Sequence, residues 1–303
     1  NIFTSLIEAA PENPVGYYQL GLVDKALGQF ADALSNFDKA LSITPRFVDV
    51  FTNVILVHAA QKEFSKALAK CDRQLELYSD SPALSAVVHH LKGGLYLAQD
   101  KKTAAIDSFQ AAIKENPNYL RPYYGLARIY LDQGQEDKAI AQYSALLKLN
   151  PNQAQPHMLL GVLYDTQQRF DLSEKHYRAA LEINPEFVAA ANNLAFILAD
   201  QEKDLNKALE LAQSAKERLP NSPYVMDTLG WVYYKKGLYD LAIVEFSDAL
   251  EKLPNNAPIV YHLGMAYNGK GDNDKARTEL KKALRLDANF PGADEARKLL
   301  AEM

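Results

Sequence analysis

The feature that most constrains this chain is a repeat of about 34 residues that keeps its phase along almost the whole sequence. Proline recurs at one point of the repeat, at positions 11, 45, 117, 151, 185, 220 and 254. From position 45 onward, a small residue, most often alanine, stands twelve positions before each of these points, and a large apolar residue usually stands eight positions before it. Such a period indicates one supersecondary unit per repeat, with a core that neighbouring units bury between them.

Apolar residues within each repeat fall three and four positions apart, which is the period of an α-helix. Each repeat is therefore predicted to hold a helix A and a helix B, with a glycine such as Gly134 or Gly237 at the turn between them. The proline ends helix B, because the residue before a proline avoids helical geometry. Gly161 and Gly230 inside helix A predict a close approach to helix B, with a small residue at the start of helix B, such as Ala242, lying opposite.

A large–small pair followed three residues later by tyrosine marks helix A, as in Leu160-Gly161 with Tyr164. With the period, this pattern resembles the tetratricopeptide repeat (TPR). The segments NNLAFILAD, KALELAQSA and MDTLGWVYYKKGLYDLAI are similar to bacterial TPR proteins associated with exopolysaccharide or exosortase systems. The resemblance implies an all-α, right-handed α-solenoid superhelix that acts as a non-catalytic protein-binding scaffold.

We expect one solenoid over residues 1–303, because a repeat array buries its core between neighbours and has no globular size limit. Residues 1–13 read as the helix B of a partial unit, with Phe3 and Leu6 on its packing face, and residues 291–303 as a capping helix with a polar outer side. The second and sixth units are longer than the others, by four residues and by one, and the extra residue of the sixth is expected in the turn from Asp200 to Asp204. The eight full units are predicted to span 14–47, 48–85, 86–119, 120–153, 154–187, 188–222, 223–256 and 257–290.

Composition narrows the chemistry that the chain can perform. The formal net charge of −5 argues against nucleic acid as a partner, and no apolar run is long enough to span a membrane. The single cysteine, Cys71, excludes an intramolecular disulfide and a cysteine-based metal centre. The six histidines form no metal-binding motif, and no catalytic constellation is found. We therefore expect no enzyme activity, no cofactor and no metal.

In the family that the chain resembles, side chains of helix A that do not pack on helix B line a concave groove. Aromatic residues, methionine and arginine are typical of binding hot spots, and asparagine amides can hold the backbone of an extended peptide. A second interpretation stays open, in which some of these aromatic rings pack between adjacent A helices. The predicted groove residues are Arg121, Tyr124, Arg128, Met158, Asn192, Asn193, Phe196, Tyr224, Asp227, Trp231, Tyr234 and Tyr261.

Two other functions remain open at this point. The open end formed by residues 1–13 could stack on a second copy, which would make the chain a self-assembling spacer. Alternatively, the chain could be the regulatory arm of a larger enzyme. The chain begins at Asn1 and not at methionine, so we expect a fragment of a longer protein, without a signal peptide of its own, from the cytoplasm or periplasm of a bacterium.

Overall fold

The computed structural model describes residues 2–303, which consist of α-helices joined by short turns. These residues fall into two compact units, one ending at Leu149 and the other covering Asn150–Met303. The helices of the first unit are α1 (Ile2–Ala9), α2 (Pro14–Ala26), α3 (Phe30–Ile43), α4 (Val48–Ala60), α5 (Phe64–Leu77), α6 (Pro82–Leu97), α7 (Lys102–Glu115), α8 (Arg121–Asp132) and α9 (Glu136–Leu149). Those of the second are α10 (Ala154–Thr166), α11 (Phe170–Ile183), α12 (Val188–Asp200), α13 (Leu205–Arg218), α14 (Pro223–Lys235), α15 (Tyr239–Lys252), α16 (Ala257–Lys270), α17 (Asn273–Leu286) and α18 (Ala293–Glu302).

Helix pairs stack in chain order within each unit. The even-numbered helices from α2 to α16 are A helices, and each packs against the B helix that follows it, while each B helix packs against the next A helix of its unit. In the second unit α12 also contacts α14 directly, and α14 contacts α16. The predicted all-α solenoid of helix pairs is confirmed, whereas the single continuous array over 1–303 stays a prediction.

The turns between helices A and B follow the predicted chemistry. Gly134 and Gly237 have φ values of 68° and 72°, a left-handed conformation in which glycine carries no Cβ penalty. Lys62 and Gln168 adopt the same conformation without that advantage, each with a φ of 57°. The turn from α12 to α13 spans 201–204 and carries the extra residue of the sixth repeat, as predicted.

The four extra residues of the second repeat lengthen the next A helix. α6 begins at Pro82 and runs for 16 residues, whereas most A helices have 13. Pro82 suits the first helical turn, where its missing N–H removes no hydrogen bond. The buried Ser85 hydroxyl donates to the Tyr78 carbonyl oxygen at 3.0 Å, which ties the added turn to the end of α5.

The glycines of helix A allow an aromatic ring to lie directly on the backbone. A Cβ on Gly161 would stand 2.4 Å from the ring of Tyr177, and one on Gly230 would stand 2.6 Å from the ring of Phe246. The prediction of a close approach is confirmed, but the group opposite is the ring and not the small residue at the start of helix B. The small residue at the start of helix B makes a separate contact with helix A: the buried Ser173 hydroxyl donates to the Gly161 carbonyl oxygen at 2.8 Å.

The core of the second unit is continuous from α11 to α18 and includes Tyr177, Leu194, Trp231 and Phe246. α18 closes this core, because Leu299 and Leu300 pack against it while Arg297, Lys298 and Glu302 are exposed. The polar outer side predicted for the capping helix is confirmed.

At the start of the first unit, α1 packs differently from the prediction. Ile7 contacts α2, where a Cβ on Gly16 would stand 2.8 Å from its side chain. Leu6 is 39% exposed, so its assignment to the packing face is wrong, because the turn of the helix points Ile7 at α2 instead.

Candidate binding surface on the A helices

Nine of the predicted groove residues belong to the A helices of the second unit, where successive A helices lie side by side. We call the surface that these helices form the A-helix face. Asp165 and Asp200 occupy the last turn of α10 and the end of α12 on the same set of helices. The face is defined by Met158, Asp165, Asn192, Asn193, Phe196, Asp200, Tyr224, Asp227, Trp231, Tyr234 and Tyr261.

Trp231 lies at the centre of an aromatic cluster on this face. Its ring stacks on Tyr234 with 4.9 Å between centroids and on Phe196 with 6.3 Å. The His262 ring of α16 lies 4.4 Å from it. Trp231 is only 6% exposed, so the prediction that it forms an exposed aromatic anchor is wrong. The rings of neighbouring A helices cover one another because the helices pack closely, which is the second interpretation of the sequence.

A hydrogen bond between A helices fixes the position of His262. The imidazole Nδ1 donates to Asp227 Oδ1 at 2.7 Å, and both side chains are largely buried. The groove positions of helix A that the repeat predicts include His262, although the predicted groove residues named above omit it. The repeat itself carried the signal, since His262 stands one repeat after Thr228 and two after Asn193, at a position that faces the neighbouring A helix.

Tyr261 is also buried, at 4% exposure, and its hydroxyl donates to Glu295 Oε2 of α18 at 3.0 Å. A Cβ on Gly292 would stand 2.7 Å from the Tyr261 ring, so the glycine before α18 makes room for the ring. The prediction that Tyr261 is an exposed anchor is therefore wrong, because the capping helix covers it.

The remaining predicted residues of the face differ in their solvent exposure. Tyr224, at the start of α14, is 63% exposed, whereas Phe196, Tyr234 and Met158 are half-buried. Asn193 is partly buried, and its amide donates to the Tyr177 hydroxyl at 3.2 Å. Asn192 and Asn193 are neighbours on α12, and Asn192 Oδ1 is buried without a hydrogen-bond partner among the described residues.

The three predicted residues on α8 belong to the first unit. Arg121 and Arg128 are exposed. Tyr124 is half-buried, with its ring 6.0 Å from that of Tyr143 on α9. The repeat pattern placed all three on the solvent side of helix A, and their assignment to a binding groove stays a prediction.

Carboxylates set the electrostatics of the A-helix face. Burial raises the pKa of Asp165, and the negative charge of Asp200 raises it further. Burial also raises the pKa of Tyr234, to which the charges of Glu295 and Glu202 add. Acidic side chains therefore lie close to both Asp165 and Tyr234.

The described residues form no cluster of three or more potential ligands that could hold a metal ion. His157 and His176 form a pair joined through their Nδ1 atoms at 2.9 Å, and the nearly parallel Tyr164 ring stacks on His176. Cys71 is buried, and burial raises the pKa of its thiol to about 12, which keeps it protonated and unreactive. No helix among the described residues has the length and apolar character required to cross a membrane.

Comparison with known proteins agrees with this architecture. Chain segments 96–163 and 233–303 match one sequence profile of the tetratricopeptide repeat, and segments 18–82 and 158–223 match a second. Photosystem I assembly protein Ycf3 of Synechococcus elongatus is 34% identical over 83 residues, which cover 25% of this chain and 48% of that protein. The chain thus spans about half the length of the curated relatives it matches.

Solved structures share the fold. A chain of the APC/C hetero-tetramer Cut9-Hcn1 matches with a TM-score of 0.60 and 21% identity, over 89% of this chain and 52% of that one. YrrB, described as a TPR protein with an unusual peptide-binding site, matches with a TM-score of 0.50 and 25% identity, over 64% of this chain and 99% of that one. From its repeat profile, its paired helices and its glycine–ring contacts, the chain belongs to the tetratricopeptide repeat family.

Proposed function

We propose that this chain is a non-catalytic interaction scaffold that binds a peptide or protein segment on the A-helix face. One observation carries the proposal: the exposed ring of Tyr224 lies on α14, the helix that holds the stacked Trp231 and Tyr234 and that packs against α12. Tyrosine is among the residue types enriched at interface hot spots, so an exposed tyrosine on a well-packed helix is a candidate contact. The likeness to YrrB supports the proposal, since that protein is described by its peptide-binding site.

The unpartnered oxygen of Asn192 adds a polar contact to the proposed surface. A buried acceptor without a hydrogen bond carries a desolvation cost of about 1–3 kcal/mol. A peptide backbone supplies N–H donors along its whole length, and one of them could recover this cost. In the proposed complex, Tyr224 supplies the apolar contact and Asn192 fixes the register of the segment.

The proposal is tested by selecting peptides from a random display library on the immobilised chain and measuring their affinities by calorimetry. We expect Tyr224→Ala to weaken the selected peptides by about 2 kcal/mol, the lower end of the hot-spot range. The matched control is Leu241→Ala on the B helix α15, because Leu241 is also exposed, at 48%.

Leu241→Ala is expected to leave these affinities unchanged. Peptides that bind the Tyr224→Ala variant as tightly as the parent, or that weaken only with Leu241→Ala, would place binding away from the A-helix face and overturn the proposal.

A finer form of the proposal concerns biological setting. The resemblance of three segments to TPR proteins of exopolysaccharide or exosortase systems supports a role in assembling a bacterial envelope or exopolysaccharide. Deleting the gene in the source organism and measuring surface polysaccharide tests this form. An unchanged amount and length distribution of the polymer would contradict it.

Self-assembly is a second candidate, which the N-terminal helix favours. Ile2 is 78% exposed and Leu6 is 39% exposed, so α1 presents apolar side chains to solvent, and Val15 at the start of α2 is 43% exposed. A second copy could cover this surface. Light scattering over a concentration series tests the idea, with Leu6→Asp as the variant that should abolish any association. A parent chain that stays monomeric at every concentration would eliminate this candidate.

A further inference from the structure

The A-helix face carries carboxylates that the described residues do not neutralise. Asp165 on α10 and Asp200 on α12 are half-buried, and no salt bridge among residues 2–303 involves either. They stand in the last turns of two A helices that contact each other, and the negative charge of Asp200 adds to burial in raising the pKa of Asp165. Two carboxylates that repel each other without a cation between them favour a positively charged neighbour.

Tyr261 of the neighbouring A helix α16 also lies beside an acid, since its hydroxyl donates to Glu295 Oε2 at 3.0 Å. Each charge that shifts the pKa of Tyr261 belongs to an acid or to another tyrosine, among them Glu295 and Asp200. The same is true of Tyr234, where Glu295 and Glu202 contribute. Glu295 acts on both tyrosines, whereas Asp200 acts on Tyr261.

One cation of the chain already shows how this face holds positive charge. The Lys235 ammonium lies 5.3 Å from the centre of the Trp231 ring and 3.1 Å from Glu202 Oε1. A cation between an aromatic face and a carboxylate gains from both the ring quadrupole and the negative charge. This arrangement uses one ring of the face and an acid of the adjoining turn, and it leaves Asp165 and Asp200 without a cation.

Two unsatisfied polar atoms on the same helices give an independent sign of a ligand. Among the residues that the structure describes, the indole Nε1 of Trp231 is a buried donor with no hydrogen-bond partner, on a side chain more than nine-tenths buried. Asn192 Oδ1 on α12 is a buried acceptor with none. A peptide backbone offers both an acceptor for the first and a donor for the second, whereas a bare metal ion offers no donor.

We infer that the segment bound on the A-helix face is cationic: an extended peptide whose lysine or arginine side chains reach Asp165 and Asp200 while its backbone meets Asn192 and Trp231. This inference rests on the proposed function and adds the chemistry of the partner. An acidic or phosphorylated peptide would face the same carboxylates and be repelled.

The experiment uses the full chain and a fluorescein-labelled peptide in which arginine alternates with alanine. A second peptide with glutamate in place of arginine is the ligand control. Fluorescence anisotropy gives the affinities, and emission of Trp231, the chain's one tryptophan, reports whether the ligand reaches the face. We expect binding of the arginine peptide alone, with an affinity that falls between about 50 mM and about 300 mM salt as the charges become screened.

The decisive variant is Asp165→Asn with Asp200→Asn. We expect it to weaken the arginine peptide by about tenfold, corresponding to about 1.4 kcal/mol for two partly exposed charge pairs. Its midpoint of urea denaturation should stay equal or rise, because the substitution removes a repulsion. A merely structural role for the two carboxylates would instead lower that midpoint.

The matched control is Asp248→Asn with Glu251→Gln, which changes the net charge equally at two exposed positions of the B helix α15. It should retain the affinity of the parent chain. Equal loss in both double variants, parental affinity in the Asp165/Asp200 variant, or tighter binding of the glutamate peptide would overturn the inference. Display-selected peptides that lack basic residues but still depend on Tyr224 would overturn it while leaving the proposed function intact.

Discussion

The ring of Phe109 lies between two glycines, one from each neighbouring A helix. A Cβ on Gly93 of α6 would stand 2.5 Å from this ring, and one on Gly125 of α8 would stand 2.8 Å from it. Glycine lowers the helix propensity at these two positions, but it allows the Phe109 ring to pack directly on the helix backbone. Gly94, next to Gly93 in the same helix, is exposed and has no atom within 4 Å of a built Cβ.

These adjacent glycines give a matched pair of substitutions. Gly93→Ala forces its methyl group against Phe109 and should destabilise the chain by about 1–3 kcal/mol, the usual cost of overpacking. Gly94→Ala meets open space and should stabilise it by about 0.5–1 kcal/mol through better helix propensity. Urea denaturation followed by circular dichroism measures both. Stabilisation by Gly93→Ala would show that the ring contact is not close.

The burial of Trp231 leads to a different substitution test on α14. Trp231→Ala removes a packed ring from the second unit and should lower the free energy of unfolding by about 3–5 kcal/mol. Tyr224→Ala, on the same helix but 63% exposed, should change it by less than about 0.5 kcal/mol. Thermal and urea denaturation measure the free energy of unfolding of both variants. Similar losses of stability at the two positions would contradict the burial of Trp231 and the exposure of Tyr224.

At the scale of the elements, the histidine pair joins helices A and B of one repeat. His157 on α10 and His176 on α11 share a single hydrogen bond between Nδ1 atoms, which requires at least one imidazole to be neutral. Burial, followed by the charges of His157 and Lys175, lowers the pKa of His176 from 6.5 to about 4. Burial also lowers the pKa of His157, although the nearby Glu182 acts in the opposite direction.

A histidine whose pKa is lower in the folded state binds fewer protons there than in the unfolded chain. Its stabilising contribution is therefore complete above the unfolded pKa and is lost as the pH falls. We expect the free energy of unfolding to fall from pH 6.5 toward pH 4, and His176→Phe to reduce this dependence while preserving the stack on Tyr164. Urea denaturation at several pH values measures the slope. An unchanged slope in the variant would refute the assignment.

At the scale of the whole molecule, the capping helix α18 covers the last part of the apolar core of the second unit. α18 covers Tyr261, and Leu299 and Leu300 pack on the core. A chain that lacks residues 291–303 should expose this surface, melt at a lower temperature and associate. Static light scattering detects the association, and a truncated chain that stays monomeric with the parental melting temperature would contradict the capping role.

The repeat predicted the helices well because its signals are local. The period, the turn glycines and the proline positions each act within a few residues, so the paired helices and the four-residue turn at 201–204 followed from the sequence. The candidate site was predicted less well. Helix A positions were correctly identified as a set, but the exposure of Trp231 and Tyr261 depends on side chains that lie a full repeat away.

The sequence by itself determined the family, the helix pairs and the glycines at which helices A and B approach closely, because these depend on spacing along one chain segment. Only the tertiary structure decided which aromatic residues are covered and which carboxylates stay unpaired. Trp231 is buried by Phe196 and His262 from two other repeats, and Tyr261 by the capping helix. Whether a side chain is buried depends on the side chains that stacking brings against it from other repeats. The position of a residue within its own repeat does not specify the size of those neighbouring side chains.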